Sequence, residues 1–154
     1  MASNSILTVF QNEVLVISCI TWAIAQIVKP FMGYLIKRDF DWRMILSAGG
    51  MPSSHSTLVT SVAIGVGLIV GWSTPEFAVA SALAAVVIYD SAGVRRQAGI
   101  HAQTLNVLVQ EVLQGHPISE NELREVLGHT PIEVFGGVLW GTVATTALWY
   151  FWSR

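Results

Sequence analysis

The chain alternates long uncharged stretches with short polar ones. Val14 to Val28 reads VLVISCITWAIAQIV, Lys29-Pro30 interrupts it, and FMGYLI carries the apolar character on to Lys37. A helix that crosses the hydrocarbon core needs about 20 apolar residues. The first run alone is shorter, but a lysine can snorkel and a proline can kink a membrane helix without ending it. A first span is therefore expected over about residues 12–36. The polar, Gly-rich connector KRDFDWRMILSAGGMP, 37–52, leads into a second apolar helix, 53–71, whose Gly65, Gly67 and Gly71 permit close helix contact in lipid. After the turn GWSTPE, 71–76, with Trp72 at an expected interface, small residues fill a third helix over 77–89, and Asp90 ends the apolar run. PIEVFGGVLWGTVATTALWYFW, 131–152, is the last span. Pro131 suits its first turn, and Trp149, Tyr150 and Trp152 suit an aromatic belt. Ile6 to Phe10 reads as a short interfacial helix.

Residues 91–129 are the polar part of the chain. Leu105, Leu108, Val109, Val112 and Leu113 recur at helical spacing and predict an amphipathic helix over about 97–114. Ser119 with Glu122 reads as a capping box that opens a short helix to Leu127, before Gly128. The expected architecture is all-α, a single integral membrane domain over 1–154. It is a polytopic bundle of about four transmembrane helices, with an amphipathic helix and a short helix between the third and fourth spans.

Composition agrees. Charged residues make up 12% of the chain, about half the usual share near 25%. Too few charges are present to cover a soluble surface, and the apolar content excludes disorder. A net charge of −2 with a pI about 6.0 does not suit a nucleic-acid binder. Cys19 is the sole cysteine, which excludes an internal disulfide and a cysteine-cluster zinc site. Four spans would put Lys29, Lys37, Arg38, Arg43, Arg95, Arg96 and Arg124 on one side and Arg154 on the other. The positive-inside rule then makes the basic face cytoplasmic or stromal, in a bacterial inner membrane or a thylakoid-type membrane, with both termini opposite.

That basic side also gathers Ser53, Ser54, His55 and Ser56 at the start of the second helix, Asp90 and His101 after the third, and His129 and Glu133 at the start of the fourth. Ionisable groups at membrane helices are costly and point to function. Phosphate chemistry wants this set. Arg and Lys neutralise the anion, amides at a helix start after Gly49-Gly50 donate to it, and two histidines allow attack and protonation.

The motifs GGMPSSHS (49–56), YDSAGVRRQAG (89–99) and LGHTPIEV (127–134) resemble the divergent branch of the type 2 phosphatidic-acid phosphatase superfamily, whose relatives include vanadium-dependent haloperoxidases. The resemblance spans roughly 24–141 and implies roles by position. Ser53 matches the phosphate-binding serine and His55 the general acid, while Ser54 stands where the parent motif has glycine. Of the parent's Lys and Arg-Pro pair, Lys37 and Arg43 have five residues between them rather than six, and Met44 replaces the proline, which leaves Lys29 as a rival to Lys37. Of the third signature, Arg95 and His101 keep the first interval, but Leu105 occupies the acid position. His129 and Glu133 keep the second interval, with Glu for Asp.

Four residues apart at a helix start, His129 and Glu133 can share a face, and a carboxylate there can fix the imidazole tautomer. His129 is therefore preferred over His101 as the nucleophile. Arg95, Arg96 and Arg43, with Lys37, Ser53 and Ser54, would grip phosphate, and Lys29, Asp90 and His101 are secondary candidates. No metal or cofactor is expected. The implied activity is hydrolysis of a lipid phosphate or diphosphate through a phosphohistidine. Expected partners are that substrate, membrane lipid, and a homo-oligomer or larger membrane complex, with no nucleic acid. The alternative is a non-catalytic scaffold, assembly factor or complex subunit that keeps the fold. Blander roles also exist: Ser53 or Ser54 as a helix N-cap, Asp90 as a structural partner of an arginine, Arg38 and Arg124 as interfacial anchors.

Overall fold

The computed structural model describes residues 6–38, 40–47, 49–93, 101–102, 104–106 and 129–154. Each helix begins where a side chain can accept the first free amides. Helix α1, Glu13–Lys37, is capped by Asn12, whose side-chain oxygen accepts from the Leu15 amide at 3.0 Å. It runs through Pro30 without a break and ends at Arg38, in the left-handed region at φ 58°, whose N–H donates to the Tyr34 carbonyl. Helix α2, Ser54–Ile69, is capped by Ser53. Helix α3, Pro75–Ala92, is capped by Thr74 and starts on proline. Helix α4, Pro131–Trp152, is capped by Thr130, with Glu133 completing a capping box. Short 3-10 helices cover Ile6–Gln11 and Trp42–Leu46. The described residues contain no strand.

The chain is thus all-α, and α1, α3 and α4 are long and apolar enough to cross a membrane. The second apolar helix is shorter than expected. Ser53 is spent as the cap, and Gly71, at φ 129°, turns the chain after Val70. Its 16 residues reach roughly 24 Å at 1.5 Å each, below a hydrocarbon core of about 30 Å. The third helix is longer than its apolar run, so Asp90 lies inside its last turn rather than beyond it. Of the amphipathic helix expected over 97–114, residues 101–102 and 104–106 are described and helical. The expected helix from Ser119 to Leu127 lies outside the described residues, as do Arg95, Arg96 and Arg124.

The distribution of side chains is inverted relative to a water-soluble protein. Ser18, Thr21, Ser53, Ser56, Thr57, Ser61, Ser91 and Thr145 are buried, while Ile27, Leu35, Val79, Leu83, Val86, Phe135, Leu139 and Val143 are exposed. Exposed apolar surface of this extent needs lipid or another apolar partner to cover it. Association inside lipid gains nothing from hiding leucine and relies on close packing and hydroxyl bonds instead. Helix α2 sits at the centre, in contact with α1, α3 and α4. Against α3 it packs through Ala63, Ala80 and Ala84.

The α2–α4 contact is tighter still. A Cβ on Gly137 would meet the Ser53 carbonyl oxygen at 2.6 Å, and one on Gly141 would meet the Thr57 carbonyl oxygen at 2.8 Å. One step further along, Thr145 Oγ1 lies 2.5 Å from Ser61 Oγ and 3.4 Å from Thr21 Oγ1 of α1. Gly137, Gly141 and Thr145 thus form a small-residue series at four-residue spacing, the pattern that lets membrane helices approach backbone to backbone. It faces a matching series, Ser53, Thr57 and Ser61. Both series are present in the sequence and are distinct from Gly65, Gly67 and Gly71, of which Gly71 lies beyond α2.

The connector between α1 and α2 is less polar in its exposure than its sequence suggests. Phe40, Trp42 and Leu46 are exposed, and Phe40 makes edge-to-face contacts with Phe31, Tyr34 and Trp42. Aromatic groups of this kind suit the membrane–water interface.

Candidate functional site

Because α2 and α4 run parallel in contact, their N-termini lie side by side. The Ser53 amide donates to the Glu133 carbonyl at 3.0 Å and ties the two starts together. Both helix dipoles therefore present their positive ends to the same region, where amides without helical partners favour an anion.

Two imidazoles stand at this junction. His55 occupies the first turn of α2, and His129 immediately precedes the Thr130 cap of α4. Their ring centroids are 6.0 Å apart, in an edge-to-face arrangement. His129 is buried, with Nδ1 3.4 Å from Glu133 Oε2. The same carboxylate oxygen accepts from the Thr130 amide at 2.9 Å. Glu133 therefore serves two ends: it completes the helix cap and faces the imidazole. The contact through Nδ1 leaves Nε2 as the ring nitrogen for chemistry.

The hydroxyls are positioned by capping. Ser53 Oγ is fully buried and accepts from the Ser56 amide at 3.4 Å and from Ser56 Oγ at 3.1 Å. Having accepted twice, it keeps its own proton to donate. Ser54 Oγ donates to Gln26 Oε1 of α1 at 2.6 Å. A cavity of about 340 Å³ opens beside His55 and is lined by Trp22, Gln26, Leu46, Ser47, Ser54, His55 and Leu58.

The two lysine candidates separate clearly. Lys29 is fully buried inside the bundle and donates from Nζ to the Ser47 carbonyl at 2.7 Å. Lys37 is the last residue of α1, eight residues on, roughly 12 Å further along the axis. Arg43 is exposed on the turn Trp42–Leu46, whose end, Leu46 with Ser47, lines the cavity. Asp90 lies half-buried in the last turn of α3, and His101 is exposed. The structure brings together His55, His129, Glu133, Ser53, Ser54 and Lys29. It leaves Arg43 and His101 on the surface. Sequence reasoning missed Gln26, Ser47 and the Thr130 capping box; the last was readable as Thr-x-x-Glu before an apolar run.

The chain is 41% identical over 138 residues to the membrane protein YuiD of Bacillus subtilis (strain 168), covering 82% of this chain and 87% of that one. No solved structure matches it. Residues 10–144 match the Divergent PAP2 family, and the chain belongs to that family.

Proposed function

We propose that this protein is an integral membrane phosphatase that hydrolyses a lipid phosphate or diphosphate through a phosphohistidine. The observation that carries the reading is the pair His55 and His129, 6.0 Å apart at two adjoining helix N-termini, with Glu133 on His129. Rings this close leave no room for a phosphoryl group between their faces, so the group lies across their edges. His129 Nε2 attacks phosphorus while His55 gives a proton to the departing oxygen. Water, deprotonated by His55, then cleaves the N–P bond, releasing inorganic phosphate and restoring both rings. The amides of α2 and the Ser53 hydroxyl hold the equatorial oxygens, and Arg95 and Arg96 supply the compensating charge.

The substrate reaches the site from the bilayer. A second cavity of about 320 Å³, lined by residues of α1 and α4 with Met51 and Pro52, is apolar and suits an alkyl chain. The basic end faces the cytoplasm or its stromal counterpart.

The test is phosphate release by the purified protein from phosphatidic acid in mixed micelles, with EDTA present. Loss of release in both H55A and H129A is expected, and full activity in both ends the reading. A second reading has one observation of its own: Ser53 and Glu133 both serve as helix caps, which gives them structural employment without turnover. In that case the fold is kept as a scaffold or anionic-lipid binder, and the protein binds phosphatidic acid without releasing phosphate.

A further inference from the structure

The geometry points to Lys29 as a positioning residue that clamps the α1–α2 connector over the His55 cavity, and not as a phosphate ligand. The assignment rests on the proposed site for its link to turnover, but its structural content stands without it.

A lysine wholly enclosed within a membrane helix is expensive unless its charge is answered. Two answers are present. The Nζ–H to Ser47 carbonyl bond, at 2.7 Å, is charge-assisted. The Glu133 carboxylate also interacts electrostatically with the ammonium. Lys29 therefore holds the connector by a direct bond and feels the Glu133 carboxylate only through space.

Ser47 is where the connector is gathered. Its amide donates to the Met44 carbonyl, its hydroxyl accepts from the Gly49 amide, and its carbonyl accepts from Lys29. It also lines the cavity with His55. One turn earlier on α1, Gln26 accepts from Ser54, so two residues of a single turn hold the connector and the start of α2. Pro30, also fully buried, follows directly; its ring limits the motion of this turn. The Lys29 ammonium is engaged by the Ser47 carbonyl, and Lys29 is not among the side chains that line the His55 cavity. Removing it would free the connector.

The experiment measures hydrogen–deuterium exchange of the connector, residues 42–49, in wild type, K29M and K29R, with α3 as internal reference, alongside vanadate binding. K29M should raise connector exchange at least about tenfold while α3 is unchanged. K29R should restore most of the protection, since a guanidinium also donates to a carbonyl. Unchanged connector exchange in K29M, with weakened vanadate binding, overturns the proposal in favour of a phosphate ligand. Should K29M unfold the bundle, K29R alone decides: connector exchange at the wild-type level supports the clamp, and raised connector exchange with α3 unchanged overturns it. None of these readouts requires phosphate release, so an inactive protein would end the phosphatase reading and leave this one standing.

Discussion

Gly137 of α4 lies directly beneath the carbonyl of Ser53, so near that a Cβ there would meet the oxygen at 2.6 Å and the Ser56 Cβ at 2.9 Å. Ser53 in turn donates its amide to Glu133, one turn before Gly137. The spacing of His55 and His129 therefore depends on two backbones in contact, with no side chain between them.

Replacing that glycine should be costly. G137A forces backbone against backbone, and overpacking of this kind costs about 1–3 kcal/mol. Thermal melting in detergent should shift down accordingly. G49A is the control: its Cβ would find Ser47 Oγ at 3.7 Å, ordinary contact, and the melt should stay within error of wild type.

Glu133 allows its capping and its chemistry to be separated. Glutamine also completes a capping box, so E133Q should keep the helix start, and any fall in melting temperature should come from the charge lost near Lys29 and His129. It removes the negative charge facing His129, and phosphate release should fall at least about tenfold, the equivalent of 1.4 kcal/mol in the barrier. Equal loss of stability and activity would show that Glu133 acts as a cap alone.

The hydroxyl of Thr145 joins α4 to both α2 and α1 through Ser61 and Thr21. T145V keeps the shape and deletes the oxygen. Interhelical hydrogen bonds of this kind average about 0.6 kcal/mol in lipid, with a maximum near 1.7. Unfolding in mixed micelles should show a loss within that span, and a neutral result would mean that packing alone holds the three helices.

Sidedness can be read by labelling. In a C19A background, cysteines at the exposed positions Leu46 and Ser153 should react with impermeant maleimide from opposite faces of sealed vesicles, Leu46 from the cytoplasmic side. Reaction of both from one face would overturn an odd number of crossings between them.

The sequence disclosed much of this arrangement where local chemistry is decisive. Proline at position 131 and the aromatic run at its end placed α4 to the residue, because a proline at a helix start and rings at an interface are dictated by covalent structure and solvent. Pro-Ser-Ser-His marked the start of α2 for the same reason. The choice between Lys29 and Lys37 was not readable. It depends on how deeply the connector folds back along α1, a matter of tertiary contact at Ser47 that no spacing rule encodes. Glu133 stands four residues from His129 and three from Thr130, so one carboxylate satisfies both the histidine interval and the capping-box interval.

The paired series of glycine, serine and threonine at every fourth position also acts as a gauge block. A seam built from such stubby groups has one closest approach, fixed by atomic radii, and no long rotamers through which to relax. The two imidazoles are held to a set distance, so on the proposed reading any tolerance for different lipids would fall to the tail, where the walls are soft, and not to the headgroup, where they are not.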